Sequence, residues 1–399
     1  MTDLAGIRHL GQFRLDHRPS IGSSTLHADA NLVGGGRQMN RSPGTRTRPI
    51  HRRRPICVRH FGAMLAALLL IVAPGIVTTA QGAPATLERV QARGHVICGF
   101  TRTSAGFSTV DARGTWTGFD VDFCRALAAA VLGKADAIKP LMIAPSAAPA
   151  AILSGEIDVL ATGTAISLTR ETGLGLRFPG VLYHDALALL VKRSQGVTSA
   201  RELSGARICV GADPESIEAL ASFFKSQDIR HEPVVVEKWE EMVQAYISGR
   251  CQVLCSDAAM LAALRSRLAG AGEHHTLPEA LSVTMLGPAV RRGDPAWYDV
   301  VRWTIHALVL AEQFGITSTR VEGLKASVQL DVRRLLGVAG DIGRPLGLKR
   351  DWVYQIVKSV GNYGEMYERN LGQRSPVKLE RRINELWTKG GLLTAPHLR

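Results

Sequence analysis

From Ala85 onward, short apolar runs alternate with longer segments whose apolar positions recur at three- and four-residue spacing. ATLERVQARG (85–94) predicts a helix closed by Gly94, and the alternating, β-branched HVICGF (95–100) predicts a strand. A polar loop with a turn at Asp111 to Gly114 follows. In GFDVDFCRALAAAVLG (118–133), Phe123, Leu127, Ala130 and Val131 keep helical spacing and Gly133 ends the helix. Residues 137–145 predict a second strand. SAAPAAILS then predicts a helix, Gly155 a break, and IDVLATGTAISLTRET (157–172) a strand that passes through small and hydroxyl residues into a helix start.

This β–α–β–α–β order with short connections implies a parallel, three-layer α/β lobe. A further apolar strand lies within 181–194. After it the plan recurs: a strand at Arg207–Val210, a helix, a second helix broken at Gly249, a strand at Cys251–Cys255, Ser256-Asp257, and a helix. Helix, glycine, strand, polar residues, helix is thus read at 147–180 and again at 239–268. Two lobes of similar plan are expected, the likeness being architectural rather than a sequence repeat. Residues 296–315 predict a helix with a wide apolar face, and the remainder is mixed helix and loop rich in Trp and Tyr.

Length and charge change this picture in two ways. A chain of 399 residues exceeds what one core usually supports. Of the net charge of +13, +8 sits in residues 1–62, with eleven arginines, no lysine and three aspartates, which leaves +5 for the rest. The excess lies in a leader without interleaved aromatics, so nucleic acid is not expected as a partner. HRRRPICVRHFGAMLAALLLIVAPGIVTTA (51–80) reads as a basic region, an apolar run and small residues at a cleavage site. Residues 1–80 are therefore expected to be a disordered basic leader and a cleavable signal peptide, cut near Ala80, for export to the periplasm. The apolar run, broken by Pro74-Gly75, is short for a membrane span. In an exported chain, Cys98 with Cys124 and Cys209 with Cys251 invite two disulfides, with Cys255 left over. There is no CxxC or HxxxH pattern, so no metal site is expected, and no cofactor. His274-His275 reads as a solvated loop pair.

Candidate chemistry starts at 157–172. A strand that ends in small residues and feeds a helix presents backbone N–H groups to an anion, and Arg170 a turn later can hold a carboxylate bidentately. An ordinary junction with a surface arginine fits the same residues. Asp257 likewise reads as a helix N-cap or as an acceptor for a cation. No nucleophile-elbow pattern accompanies the scattered serines, which argues against a hydrolase triad.

Longer stretches carry more. GFSTVDARGTWTGFDVDFCRALAAAVLG, AAILSGEIDVLATGTAISLTRETGLGLRFPG, GRCQVLCSDAAMLAALR and GPAVRRGD resemble periplasmic substrate-binding proteins of polar amino-acid ABC transporters. The tail, with VRRLLGVAGDIGRPLGL and VGNYGEMYERNLG, resembles the general L-amino-acid-binding branch. The resemblance implies the two-lobed type II periplasmic-binding-protein fold, each lobe a three-layer α/β sandwich, with a ligand cleft between them. Lobe 1 would take 85–190 and return at 289–399 with a C-terminal helical extension, and lobe 2 would take 191–288. The resemblance makes Arg170 the carboxylate clamp, Asp257 the acceptor of the α-ammonium, Phe107 the aromatic against the ligand side chain and Gly163 a backbone contact. Thr164 would supply the nearest hydroxyl, because Ala165 stands where the family usually has Ser or Thr. At the lobe 2 helix start, Gly211-Ala212-Asp213-Pro214-Glu215-Ser216 replaces a Gly-Thr-Thr-like turn, with Ser216 as the ligand contact. Pro214 removes one N–H there, two acids are added, and no arginine occurs at 146–149. These departures point to a ligand that is more cationic, lacks an ordinary α-carboxylate, or binds weakly.

The expected function is capture of an amino acid or related amine and delivery to an inner-membrane ABC permease, by a monomer that is not an enzyme. The alternatives are a periplasmic dehydratase-like enzyme on the same fold, with Glu215 or Asp213 as general acid, and a sensory receptor without transport.

Overall fold

The computed structural model describes residues 85–398 apart from 102, 103 and 269; the leader and signal-peptide expectations lie outside the described residues. The first elements follow the hydrophobic pattern: α1 (Thr86–Arg93), β1 (Val96–Phe100), a hairpin of β2 (Thr109–Val110) and β3 (Trp116–Thr117), α2 (Phe119–Leu132), β4 (Ile138–Met142), α3 (Ala148–Ser154), β5 (Val159–Ala165), α4 (Leu168–Gly173) and β6 (Leu176–Arg177). β1 runs parallel to both β4 and β5. Gly94, Gly133 and Gly155 each end a helix in the left-handed conformation.

The chain next runs through β7 (Tyr183–Lys192), β8 (Ala206–Gly211), α5 (Pro214–Ser226), β9 (His231–Val236), α6 (Trp239–Ile247), β10 (Val253–Asp257), α7 (Ala258–Arg265), β11 (His274–Thr276) and β12 (Ser282–Arg291). The strand order is β4-β1-β5-β12-β7-β10-β8-β9. β12 is antiparallel to both β5 and β7, and β7 is antiparallel to β10. The purely parallel lobes expected from the element order are thus corrected: the two long central strands run against their neighbours. β9 and β12 have no counterpart among the predicted elements.

Both faces of the β7–β10–β8 region are covered, as alternation along the strands requires. Leu187, Leu189 and Val191 pack with Ile208, Val210, Val253, Leu220 and Phe224 on one side. Ala188, Leu190, Cys209 and Leu254 pack with Met242, Tyr246 and Leu261 on the other. The other half of the sheet has the same layering, with α3 against one face and α1, α2 and α8 (Pro295–Gln313) against the opposite one. The chain closes with α9 (Val321–Leu324), α10 (Leu330–Leu335), α11 (Trp352–Val360) and α12 (Tyr363–Asn370), which join the larger core through Trp352, Tyr363 and Tyr367. The fold is the two-lobed type II periplasmic-binding-protein architecture.

Disulfides join Cys98 of β1 to Cys124 of α2, with Cα atoms 6.5 Å apart, and Cys209 of β8 to Cys251 just before β10, at 5.6 Å. The expectation for His274-His275 is corrected. His274 is buried in β11, its Nδ1 is 2.7 Å from the Tyr246 hydroxyl, and His275 Nε2 lies 2.9 Å from the Val197 carbonyl.

Candidate functional site

The ends of β5, β10 and α5 and the adjoining stretches of β7 and β12 surround a cavity of about 690 Å³. From β5 and α4 it receives Thr162, Gly163, Thr164 and Arg170; from α5 it receives Asp213, Glu215 and Ser216; from β10 it receives Asp257. Arg170 is half-buried, and its Nη1 donates to the Ala165 carbonyl at 2.8 Å. The residue that lacks the expected hydroxyl therefore anchors the guanidinium through its backbone. Thr164 turns its hydroxyl to the Thr162 carbonyl (2.9 Å), which commits the proton and leaves the oxygen lone pairs as acceptors. The Gly163 N–H donates to Asp120 Oδ2 at 3.1 Å, so this backbone group is already engaged.

Asp257 stands at the N-cap position of α7 but makes no side-chain capping bond. Asp185 of β7 reaches across instead and accepts from the Ala259 N–H at 3.3 Å. Capping the helix thus falls to another strand, and Asp257 lines the cavity beside Asp185. Asp213 does cap its helix: the Ser216 N–H donates to Asp213 Oδ1 at 2.8 Å, with Pro214 in the first turn. The backbone donor expected to meet a ligand carboxylate at Ser216 is met by the protein's own carboxylate.

Phe107 opens onto a narrow recess of about 20 Å³ that shares Thr162, Gly163, Asp185 and Asp257 with the main cavity. Its ring is buried edge-to-face against Tyr183 at 5.1 Å and Phe119 at 6.3 Å. Gly118 fixes this approach. At φ 133° it takes a conformation that L side chains rarely adopt, and a Cβ there would lie 2.1 Å from the Phe107 carbonyl oxygen. Sequence reasoning missed Asp120 and Asp185, both nearly fully buried. The available signal was a carboxylate set among residues otherwise destined for the core. Cys255, two positions before Asp257, is unpaired and buried; burial, with Asp257 and Asp213 adding to it, pushes its thiol well above the ordinary range.

Four carboxylates (Asp185, Asp213, Glu215 and Asp257) and one guanidinium (Arg170) therefore face one cavity among the described lining residues. Two lobes with a guanidinium and carboxylates over one concave space have the form of a receptor for a small polar solute. Comparison with known proteins agrees in class. The profile of the bacterial extracellular solute-binding proteins, family 3, matches residues 96–315, and the chain belongs to that family. It is 45% identical over 337 residues to the general L-amino acid-binding periplasmic protein AapJ of Rhizobium johnstonii, covering 83% of this chain and 99% of that one. It is 40% identical over 329 residues to the glutamate/glutamine/aspartate/asparagine-binding protein BztA of Rhodobacter capsulatus, covering 82% and 97%. A solved periplasmic binding protein from Brucella ovis with glutathione bound matches at TM-score 0.70 and 42% identity, over 79% of this chain and all of that one.

Proposed function

We propose that the protein is an exported receptor that closes two lobes, 85–190 with 289–399 and 191–288, on an amino acid or related amine and delivers it to an ABC permease. Arg170 takes the carboxylate end and Asp257, with Asp185 beside it, takes the ammonium. The single observation that carries this reading is that Arg170 and Asp257, on different halves of the sheet, line the same cavity. Contacts from both lobes favour the closed state over the open one. The surplus of carboxylates favours ligands that are neutral or cationic over dicarboxylates, since each cavity carboxylate near a ligand carboxylate opposes it. Phe107 closes the inner end of the site, and Thr162, Thr164 and Ser216 supply hydroxyls. The receptor acts as a monomer in the periplasm after cleavage near Ala80.

The dehydratase-like alternative has less support, because Glu215 is exposed and lacks the burial that a carboxyl general acid needs. Isothermal calorimetry with neutral, cationic and acidic L-amino acids, polyamines and glutathione tests the receptor reading. Saturable binding of at least one ligand, weakened by Asp257→Ala and by Arg170→Ala, is expected. If no ligand binds saturably, or none that binds is weakened by Asp257→Ala, the reading fails.

A further inference from the structure

We propose that the molecule has a second ligand site on the reverse face of β7, for a small organic anion with a carboxylate or phosphate head on an apolar body. The pleat of β7 separates the two sites. Asp185 and Leu187 face the first cavity, whereas His184, Ala186 and Ala188 face a different one of about 370 Å³. Its floor is apolar and short-chained: Ala186 and Ala188 from β7, and Ala258 and Ala262 from one side of α7. These small side chains leave room for an apolar body against packed backbone.

The rim is basic, and its charges are only partly cancelled. Arg381 is paired with Glu312 and Arg382 with Glu380, at 2.5 and 3.4 Å, and Arg381 also lies 3.6 Å from Glu385. The acid on the opposite wall, Glu279, is held by Ser199 Oγ and the Ala200 N–H at 2.5 and 3.1 Å. Arg193, Arg265 and Lys378 make no ion pair among the described residues. The two guanidiniums donate to backbone carbonyls, Gly272 at 2.9 Å and Lys378 at 3.2 Å. Three cations converging on a concave, partly apolar wall raise the local concentration of anions and offer charge-assisted hydrogen bonds to an oxyanion. His184 and His275 also line this wall, and each has an Nδ1 without a hydrogen-bond partner among the described residues.

Backbone strain points to the same wall. Among the described residues, the non-glycine positions at positive φ are Asp228, Lys378 and Arg382. Two of the three, Lys378 at φ 50° and Arg382 at φ 45°, stand on this cavity. Such conformations cost energy and collect where a side chain must be aimed. The segment that carries them reaches across to the other half of the molecule, where Arg382 Nη1 donates to the Leu277 carbonyl at 3.3 Å. A ligand here would touch that segment, α7 and β7 at once.

The test is calorimetric titration of the exported chain with phenyl phosphate and with benzoate in low-salt buffer. Saturable one-to-one binding of either probe is expected. It should be weakened at least fivefold by Lys378→Glu or by Arg193→Gln, and unchanged by Arg170→Ala, which removes the cation that lines the first cavity. Lys378 and Arg193 are exposed, and a melting curve on each variant confirms that it folds. The proposal is overturned by absence of saturable binding of both probes, by a loss smaller than fivefold in both folded variants, or by a loss in Arg170→Ala. Because the proposed amino-acid site is read separately, with amino acids and through Asp257 and Arg170, failure of either site leaves the other result standing.

Discussion

At the scale of single residues, Asp213 serves two purposes that oppose each other. Its carboxylate satisfies a donor at the start of α5 and so stabilises the fold, yet it also lines the cavity in which, on the proposed reading, a ligand carboxylate would be bound. Asp213→Ala should therefore move two measurements in opposite directions. Loss of the cap should lower stability by about 0.5–2 kcal/mol, read by urea denaturation. Freeing the Ser216 N–H and removing a negative charge should tighten binding of α-amino acids by about 1.5 kcal/mol or more, roughly tenfold. An amine without a carboxylate, titrated in parallel, should not gain. Equal weakening of both ligand classes would show that Asp213 contacts the ligand rather than competing with its carboxylate. Asp213 could be noticed in the sequence as an acid at a helix start, but the identity of its partner could not, because that depends on the cap geometry. Asp185 was harder still. Its role requires knowing that alternate residues of β7 face the cavity and that α7 begins within reach of its side chain.

At the scale of elements, the β–α alternation, the glycine stops and the 157–172 junction were legible because local periodicity and capping decide them. β12 was not. SVTMLGPAVR mixes exposed Val283 and Met285 with buried Leu286 to Val290, and it becomes a strand only through its partners β5 and β7. The C-terminal segment shows the same dependence on distant contacts. Asn384 pins β7 by accepting from the His184 N–H at 2.7 Å and donating to its carbonyl at 2.8 Å. Arg381 holds that segment in place through Glu312 of α8, and its guanidinium also lies about 5.5 Å from the ring centres of Tyr363 and Tyr367. Both partners of the ion pair are at most 10% exposed. Glu312→Ala would leave the guanidinium with Glu385 at 3.6 Å and the Asn384 carbonyl as its remaining partners, so a loss of about 3 kcal/mol, at the low end for a broken buried pair, is expected in urea denaturation. Replacing both partners by Met should cost less than the single change, since the desolvation penalty disappears with the charges. If the single change costs under about 1 kcal/mol, the segment is not anchored by this pair.

At the scale of the whole molecule, four histidines in separate parts of the fold share one electrostatic bias. His184 on β7, His231 on β9, His274 on β11 and His306 on α8 all have pKa values lowered, with burial as the largest cause in each. Arg302 adds to the effect on His306, which is held down at about 4, and Lys192 adds to it on His274. Below the ordinary histidine range near 6.5 the unfolded chain takes up protons that the folded chain refuses, so stability must fall as the solution is acidified. The window opens near pH 6.5 and, for His306, extends down to about 4. Asp294 and Glu279, whose pKa values are lowered in the fold by hydrogen bonds that outweigh burial, act in the same sense at the lower end, as pH falls through about 4. The expected outcome is a denaturation free energy that is highest above about pH 7 and declines through pH 5, with net proton uptake on unfolding. His306→Gln should flatten the decline between pH 6 and 4, because the substituted amide has no proton to gain in the unfolded chain. A profile in which wild type and His306→Gln run parallel across that range would show that His306 is protonated as easily in the fold as out of it. Ligand binding then supplies an internal comparison. A ligand that binds only the folded state adds the same stabilisation at every pH at which its own charge and that of the cavity acids are unchanged, so with saturating ligand the curve should rise as a whole while keeping the histidine-governed slope.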